Sequence, residues 1–392
     1  MINRVCFIRH ATYPHELSVR REVETLCRAG FETHVICLDE ESAEKDHKRE
    51  EVIDDVHVHR IPFTRKKTSI ARYLYDYLSF FFLAALKLTV LHLRYPFDVI
   101  QINTMPDFLV FASLIPKLLG AKVVVMMHEP VPELWQTLHN SQPPRILKWV
   151  EQAALSYVDT AFTVTQQLKD AYVERGADSD KISVILNVPE SRFLQLEEGL
   201  AETPSEDTRY FTLISHGAIE ERYGHDTILE AVALIKSQIP NLRLRILGSG
   251  SYVDNFLAQR ARLGLQYCVD YLGWVDLSQV VQELRAANVG IVAQKSSPYS
   301  NLVHTNKMYE FIAFGKPVLA SRLKAVVAYF GDNALQYFNP DDPESLAKGI
   351  LELYQDPAKR YSLIENARLL YDQYKWEKQR EVYLSVYRTL LK

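Results

Sequence analysis

The most constraining feature of this 392-residue sequence is an alternation of short apolar segments with longer segments of helical period. Each apolar segment has the length of a strand, and the intervening segments carry apolar residues three and four positions apart. In the first half the predicted strands are RVCFIRH, ETHVICL, VHVHRIP, FDVIQIN, KVVVMMHE, TAFTVT and KISVILN. Short apolar strands that alternate with helices predict a parallel sheet covered on both faces.

An acidic, polar stretch at 194–210 interrupts the alternation, and we interpret it as an interdomain linker. The strand–helix pattern then restarts, beginning with the strand YFTLISHG. We therefore predict an N-terminal domain over 1–193 and a C-terminal domain over 211–370. A last helical stretch, 371–392, is predicted to pack back towards the N-terminal domain.

The predicted fold class is α/β, with two tandem Rossmann-like, doubly wound domains that face each other across a cleft. Open parallel sheets bind ligands at the carboxyl ends of their strands. A cleft between two such edges is the usual place for a small-molecule site. Polar residues where a predicted strand ends are therefore the candidates for such a site.

Composition indicates an ordinary soluble globular protein and disfavours nucleic-acid binding. Hydrophobic residues make up 47% and charged residues 24% of the sequence, and the net charge is −4. Four cysteines, Cys6, Cys27, Cys37 and Cys268, form no CxxC pair. We expect buried free thiols, as in a reducing cytoplasm. A strand that starts almost at once leaves no room for a signal peptide.

One long apolar stretch, Ser69–Phe97, tests the prediction of a soluble protein. Charged residues, Asp76, Lys87 and Arg94 among them, interrupt it, which disfavours a membrane-spanning helix. We favour a mostly buried domain helix. The alternative adds the preceding basic cluster Arg65–Lys67, so that the region Arg65 to Phe97 rests on the anionic inner face of a membrane.

Many familiar motifs are missing from the sequence. It contains no P-loop, no GxGxxG after a strand, no GxSxG and no HExxH. No Cys/His cluster has zinc spacing, and no acidic pair follows a strand to hold a divalent ion. We therefore predict no metal and no cofactor.

The stretch HTNKMYEFIAFGKPVLAS, His304–Ser321, predicts a short helix followed by a buried strand. Thr305 can cap the helix, while Gly315 suits a left-handed end and Pro317 prevents continuation. The free backbone N–H groups at Thr305–Lys307 can bind an anion.

Two side chains of this helix extend the anion site. Lys307 adds a full positive charge, and Glu310 could accept hydrogen bonds from two neighbouring ribose hydroxyls. Taken alone, Glu310 is better explained as a solvated glutamate. Two further candidates lie where strands end: Arg222 in the loop HGAIEERYG, and His128 after KVVVMM. In isolation, each is equally or better explained as an ordinary polar residue at a strand end.

Together and in this order, the three segments resemble the family 4 glycosyltransferases, which have the GT-B fold. The resemblance extends over nearly the whole chain. Its main motif is K-x-x-E-x-x-A-x-G-x-P-V-x-A-S. The matching residues are Lys307, Glu310, Ala313, Gly315, Pro317, Val318, Ala320 and Ser321.

The resemblance implies transfer of a sugar from a nucleotide diphosphate sugar with retention at the anomeric carbon, without a bound metal. It implies that Glu310 binds the ribose and that Thr305, Asn306 and Lys307 meet the diphosphate. Arg222 and Lys307 would then neutralise charge on the leaving group.

The remaining roles are implied in the same way. His128 would contact and orient the donor sugar. Gly217 opens the phosphate loop, and the backbone near Trp274 and Val275 would border the base. Catalysis would rest on positioning and on electrostatic stabilisation of the departing diphosphate.

Three departures from the family pattern stand out. The first of two usual glutamates is replaced by Leu302, which leaves the donor sugar undefined. Ala218 and Tyr223 occupy the usual basic positions of the phosphate loop, so Arg222 would substitute from a neighbouring place. The first loop, RHATYPHELS, lacks a glycine pair, and the acceptor site cannot be defined from it.

We therefore predict a cytoplasmic glycosyltransferase that acts on a glycan or lipid-linked acceptor in surface polysaccharide or glycolipid synthesis. Two alternatives stay open from the sequence. One is a nucleotide-sugar epimerase of the same fold, and the other is a catalytically silent subunit that only binds a partner or a nucleotide sugar.

Overall fold

The computed structural model describes residues 2–39, 49–62, 70–189 and 209–392. The chain forms two compact units. Unit 1 comprises Met1–Leu186 together with Gln379–Lys392, and unit 2 comprises Asn187–Lys378. Most of the predicted linker and the whole Arg65–Lys67 cluster lie outside the described residues. The predicted domain boundaries stay predictions.

Unit 1 contains an eight-stranded sheet with the order β3-β4-β2-β1-β5-β6-β7-β8. The strands are β1 (Arg4–Thr12), β2 (Glu32–Leu38), β3 (Glu50–Ile53), β4 (Val56–Ile61), β5 (Val99–Asn103), β6 (Lys122–Met127), β7 (Thr160–Thr163) and β8 (Ile182–Val184). All seven predicted strands are confirmed and pair in parallel. The short edge strand β3 was not predicted, and it pairs antiparallel with β4.

Helices follow most strands of unit 1. They are α1 (Leu17–Arg28), α2 (Ile70–Arg94), α3 (Leu114–Leu118), α4 (Val131–His139), α5 (Arg145–Tyr157) and α6 (Gln166–Glu174). The pattern of DFLVFASLIPKLLG predicts a single helix, but this prediction is wrong, because a 3-10 helix, Asp107–Ser113, precedes the short α3. Pro116 lacks a backbone N–H and crowds the carbonyl four residues earlier, which disfavours one continuous α-helix.

Unit 2 contains a six-stranded, all-parallel sheet with the order β11-β10-β9-β12-β13-β14. Its strands are β9 (Phe211–His216), β10 (Leu242–Leu247), β11 (Val269–Gly273), β12 (Val289–Val292), β13 (Val318–Ser321) and β14 (Gln336–Phe338). Its helices are α7 (His225–Ile235), α8 (Val253–Arg262), α9 (Leu277–Ala286), α10 (Lys307–Ala313), α11 (Lys324–Val327), α12 (Pro343–Gln355) and α13 (Pro357–Tyr374). The predicted α/β class is therefore confirmed in both units.

The last helix, α14 (Trp376–Leu390), packs on the sheet of unit 1. Tyr383 and Tyr387 are fully buried, and both hydroxyls donate to Oε1 of Gln101 on β5. The ring of Phe162 on β7 lies 5.1 Å from that of Tyr383, centroid to centroid. Burial of two tyrosines, each satisfied through its hydroxyl, ties the C-terminal end of the chain to unit 1.

The long helix α2 differs from its prediction as a mostly buried helix. Only 28% of its apolar window, within Arg72–Arg94, is buried. By length and composition this one helix of the described chain could cross a membrane, although core helices pass the same test. It packs on the domain through one face, while Phe82 and Leu86 on the other are 66% and 65% exposed.

The cysteine prediction is confirmed for three residues. Cys6, Cys37 and Cys268 are buried and free, and Cys27 is free but only partly buried. Burial raises the pKa of the Cys37 thiol to about 12 and raises that of Cys6 further still. These thiols therefore behave as small apolar side chains rather than nucleophiles.

Candidate active site

The helix α10 begins differently from its prediction and ends as predicted. Asn306, not Thr305, is the N-cap residue, and it makes no side-chain cap bond. The Thr305 hydroxyl instead accepts from the Lys307 backbone N–H at 3.4 Å. At the other end Gly315 has a φ of 65°, the left-handed conformation expected there.

Glu310 lies in a polar contact between α10 and the end of β9. Its Oε1 accepts from Nδ2 of Asn306 at 3.0 Å, and its Oε2 lies 3.2 Å from Nε2 of His216. The side chain is 12% exposed, and burial raises its pKa to about 7, against the opposing effect of Lys307. Burial and the nearby Lys307 lower the pKa of His216 to about 3, so its ring is neutral at physiological pH.

His216 Nε2 is buried, yet within the described parts of the chain it has no aligned hydrogen-bond partner. Glu310 is close to it, but the angle between the two groups is not that of a hydrogen bond. A buried donor without a partner costs about 1–3 kcal/mol. A ligand hydroxyl that bonds both groups would remove this cost.

Two cations share the ring of Tyr223. The Lys307 ammonium lies 4.2 Å from the ring centroid, and the Arg222 guanidinium carbon lies 4.8 Å from it. Burial lowers the pKa of Lys307 to about 8; Glu310 opposes this shift and Arg222 adds to it. Two positive charges this close together, with one of them desolvated, are suited to a multiply charged anion.

Gly217 is required by the path of Lys307. It follows β9 directly and has a φ of 101°. A Cβ placed there would overlap Cε of Lys307 and displace that side chain. The glycine therefore leaves the space through which the lysine side chain reaches Tyr223.

The structure thus brings together six of the predicted residues at the carboxyl edge of the unit 2 sheet. These are Gly217, Arg222, Thr305, Asn306, Lys307 and Glu310. Trp274 and Val275 follow β11, two strands from β9, or about 10 Å away across the sheet. The Trp274 side chain is 77% exposed and lies outside this cluster.

Sequence reasoning missed His216 and Tyr223 as members of the cluster. In the sequence Tyr223 is only a departure from a basic position, yet its ring contacts both cations. His216 has a detectable signal, because it is the last residue of a strand and precedes Gly217. A polar residue at such a place is a site candidate on the same grounds as His128.

His128 lies in unit 1, at the carboxyl edge of the sheet beside Asn103. It directly follows β6, whose neighbour β5 ends at Asn103. Asn103 Nδ2 lies 3.5 Å from Nε2 of His128, at the limit of a hydrogen bond that the amide donates. Burial, followed by the positive charges of Arg9 and Arg21, lowers the pKa of His128 well below its usual value.

A buried hydrogen-bond network orients the side chain of Asn103. Oε2 of Glu22 accepts from Nδ2 of Asn103 and from Nε2 of Gln101, each at 2.7 Å. Gln101 in turn accepts from the two tyrosine hydroxyls of α14. Glu22 is fully buried, and this burial raises its pKa. No local sequence pattern indicates Glu22, because it lies inside an amphipathic helix far from Asn103 in the chain.

Among the described residues, spatial proximity also produces one group that is able to hold a metal ion. Glu32, His34 and His57 offer ligand atoms that all lie within 4.8 Å of one another. No zinc spacing is visible in the sequence because the residues come from two strands, β2 and β4. The group lies in unit 1, near the amino ends of those strands.

Comparison with protein families matches the chain in two consecutive parts. The description "Glycosyl transferase 4-like domain" matches residues 15–187, and "Glycosyl transferases group 1" matches residues 200–370. The chain belongs to the glycosyltransferases with the GT-B fold. The match over residues 15–187 is consistent with family 4. Comparison with curated protein sequences gave no match.

Solved structures of the same fold extend over the full chain. Sucrose-phosphate synthase from Thermosynechococcus elongatus has 19% identity and a TM-score of 0.78, covering 99% of each chain. Anabaena HepE in complex with UDP-glucose has 16% identity and a TM-score of 0.72, covering 98% of this chain and 99% of its own. A UDP-forming trehalose-phosphate synthase from Burkholderia xenovorans has 13% identity and a TM-score of 0.76, covering all of both chains. At these identities the likeness establishes the fold alone.

Proposed function

We propose that this chain transfers a sugar from a nucleoside diphosphate sugar to a glycan or lipid-linked acceptor, with retention at the anomeric carbon. The observation that carries the proposal is the grouping of Lys307, Arg222 and Glu310 in one small volume of unit 2. Two cations suit a diphosphate, and a carboxylate beside them suits the hydroxyls of the attached ribose.

In this proposal Glu310 and His216 together bind the ribose. Glu310 accepts from the hydroxyls, and the neutral His216 ring supplies the bond that the free protein lacks. The backbone amides at Thr305–Lys307 are proposed to meet the diphosphate beside the Lys307 ammonium. We propose that Trp274 and Val275 border the base.

Departure of the nucleoside diphosphate is the step at which negative charge develops. Lys307 and Arg222 are held in place by Tyr223 before the ligand arrives, so they need little reorganisation to stabilise that charge. In well-studied enzymes, removal of one preorganised donor group lowers kcat by about 10²–10³-fold. The proposal requires no bound metal, because these side chains supply the positive charge.

His128 is proposed to contact the donor sugar. Its pKa is depressed, so the ring is neutral and can accept or donate one hydrogen bond without adding charge. The Asn103 amide orients the His128 ring, and the hydrogen-bond network of Glu22 orients Asn103. His128 is thus a positioned polar contact rather than a titrating acid.

The first experiment is a thermal-shift series with UDP, GDP, ADP, dTDP and CMP and their common sugars, with chelator present. HepE was solved with UDP and UDP-glucose, so uridine ligands are tested first. A ligand at about 100 times its Kd should stabilise the protein by about 2.7 kcal/mol. The shift should disappear in Glu310→Ala and persist in Glu344→Ala, an acidic control in the first turn of α12. If no nucleotide shifts the wild type, the enzyme proposal fails and a silent subunit that binds only a partner is favoured.

Product analysis then separates transfer from isomerisation. Incubation with the bound nucleotide sugar and no acceptor should leave its sugar configuration unchanged. Conversion to an epimer under these conditions would contradict the transferase proposal. The anomeric configuration of a transferred sugar, measured by NMR, tests retention.

We further propose that the enzyme is cytoplasmic and rests on the inner face of a membrane through α2. The exposed apolar side chains of this helix, with Arg94 at its end, suit the boundary between headgroups and acyl chains of an anionic bilayer. The basic Arg65–Lys67 segment precedes it in the sequence. Contact through α2 would then hold the enzyme at the surface that carries a lipid-linked acceptor.

Vesicle flotation tests this contact. The wild type should float with vesicles that contain anionic lipid, and the double variant Phe82→Asp/Leu86→Asp should stay behind. Leu369→Asp in unit 2, a residue that is 68% exposed, is the matched control and should float normally. A wild type that stays wholly soluble with anionic vesicles would refute membrane contact and leave the transferase proposal untouched.

A further inference from the structure

Three histidines and two glutamates lie together on one face of the unit 1 sheet, away from the catalytic candidates. Glu32 and His34 are two residues apart on β2, and His57 and His59 are two residues apart on β4. Residues two apart on a strand point to the same face. His34 is the register partner of His57, so all four side chains project together.

The row reads Glu32, His34, His59, Glu50. Nε2 of His34 lies 3.3 Å from Oε1 of Glu32, and Nδ1 of His34 lies 3.1 Å from Nε2 of His59. On the far side, Nδ1 of His59 lies 3.7 Å from Oε1 of Glu50, which also pairs with Lys87. His34 is 2% and His59 is 7% exposed, so water does not substitute for these partners.

Two neutral imidazoles cannot satisfy this row, because each ring carries one N–H and one lone pair. If His34 donates to Glu32 and accepts from His59, then Nδ1 of His59 has a lone pair and no donor. That atom is indeed buried without a hydrogen-bond partner among the described residues. If the tautomers are reversed, the lone pair of His34 Nε2 faces the carboxylate of Glu32.

A cation between Glu32 and His34 resolves the mismatch. It would be bound by the Glu32 carboxylate and by the Nε2 lone pair of His34. His34 would then donate from Nδ1 to Nε2 of His59, and the Nδ1–H of His59 would face Glu50. In this arrangement every polar atom of the row meets an atom of the opposite kind.

The surroundings match those of a metal ligand set rather than those of an isolated ion pair. The second oxygen of Glu32 accepts from Nε of Arg4 at 2.8 Å, which orients the carboxylate. His34 is oriented by His59, as metal-bound histidines usually are by an acceptor on the other ring nitrogen. His57 is half-buried, and its ring stacks on that of His34 with a centroid separation of 4.6 Å. Rotation of this ring would bring its nitrogen to the ion.

We propose that Glu32, His34 and His57 bind a zinc ion that links β2 to β4. Two imidazoles and one carboxylate suit Zn²⁺, with water in the fourth position. The site lies near the amino ends of parallel strands, whereas ligands of such sheets bind at the carboxyl ends. The ion is therefore structural, and the proposal is independent of the transferase chemistry.

Zinc binding to the full-length, chelator-stripped protein tests the proposal. Isothermal titration with ZnCl₂ should show a single ion per chain, and zinc should raise the melting temperature. His57→Ala removes a half-buried ligand and should abolish the high-affinity site without unfolding the protein. His139→Ala, an exposed histidine on α4, is the matched control and should bind zinc normally.

The orienting role of His59 provides a second, sharper test. His59→Gln keeps an acceptor for His34 Nδ1–H and should retain zinc, whereas His59→Leu should weaken it by about 10–100-fold. Cobalt substitution reports the same site through its visible absorption, which should disappear in His57→Ala. The proposal is overturned if the wild type binds no zinc, or if His57→Ala and the wild type bind it equally.

Discussion

The polar groups at the carboxyl edges of the two sheets differ in kind. Around Lys307 in unit 2 two cations lie beside a carboxylate, and His216 Nε2 has no aligned hydrogen-bond partner among the described residues. Around His128 in unit 1, amide and tyrosine side chains form a network with the buried Glu22 that runs from Asn103 to the tyrosines of α14. We propose that the first arrangement binds a ligand and that the second orients His128. We therefore expect substitutions in unit 2 to affect affinity and rate strongly, and those in unit 1 to act more weakly through orientation.

The largest effect is expected from Lys307→Met. Loss of a preorganised charge at the leaving group should lower kcat by about 10²–10³-fold. Steady-state transfer rates measure this, with circular dichroism to confirm folding. Lys324→Met, an exposed lysine on α11, is the control and should be fully active. A Lys307→Met variant with a normal kcat would show that the positive charge of Lys307 is not needed for catalysis.

Gly217→Ala should lower activity nearly as much, by about 10²-fold, because it displaces Lys307 without removing its charge. The left-handed backbone itself costs a non-glycine residue about 1–2 kcal/mol. Gly264→Ala separates the two causes. Gly264 has a φ of 61°, and nothing lies within 4 Å of a Cβ placed there. The Gly264→Ala variant should therefore lose about the same stability as Gly217→Ala and keep its activity. If Gly217→Ala and Gly264→Ala have equal activity, the position of the Lys307 side chain does not matter for catalysis.

Nucleotide affinity should depend on pH in a narrow window set by two groups. Binding needs the Glu310 carboxylate, whose pKa is about 7, and the Lys307 ammonium, whose pKa is about 8. Affinity should therefore fall below pH 7 as Glu310 gains a proton, and above pH 8 as Lys307 loses one. Each limb should approach about tenfold per pH unit.

Variants assign the two limbs of this profile. Glu310→Gln should lower affinity by about 10–100-fold and remove the acid limb, because a carboxylate bond to a hydroxyl is worth about 1.5–3 kcal/mol. Lys307→Arg should remove the alkaline limb, because arginine stays protonated. Titration calorimetry at several pH values gives both. An acid limb that persists in Glu310→Gln would assign it to another group.

The smallest effect is expected in unit 1. Asn103→Ala removes the bond that orients His128 and should lower kcat by about tenfold, with nucleotide affinity unchanged. Tyr387→Phe removes one of two hydroxyls on Gln101 and should cost about 1 kcal/mol of stability with no loss of rate. Comparison of kcat with nucleotide Kd in both variants checks this. A loss of affinity in Asn103→Ala would contradict the distinction between the two regions.

The sequence was sufficient where local pattern alone decides the structure. Every predicted strand appears, because a short apolar run bounded by polar turns has few other stable conformations in a doubly wound fold. The sequence also marks Arg222, in the loop after β9, and Lys307 and Glu310, in α10, as candidates, and the resemblance to family 4 favours them over ordinary surface residues. The left-handed end at Gly315 was likewise determined locally.

Other features depended on which elements pack against one another, and so only the tertiary structure decided them. Exposure of α2 was mispredicted because its apolar residues surround the helix, and sequence does not tell which face is covered. Three groups of contacts join residues from separate elements. They are the packing of two cations on Tyr223, the hydrogen bond between Glu22 and Asn103, and the row that contains His34 and His59. Their contacts depend on sheet order and register, which fix distances that no local spacing encodes.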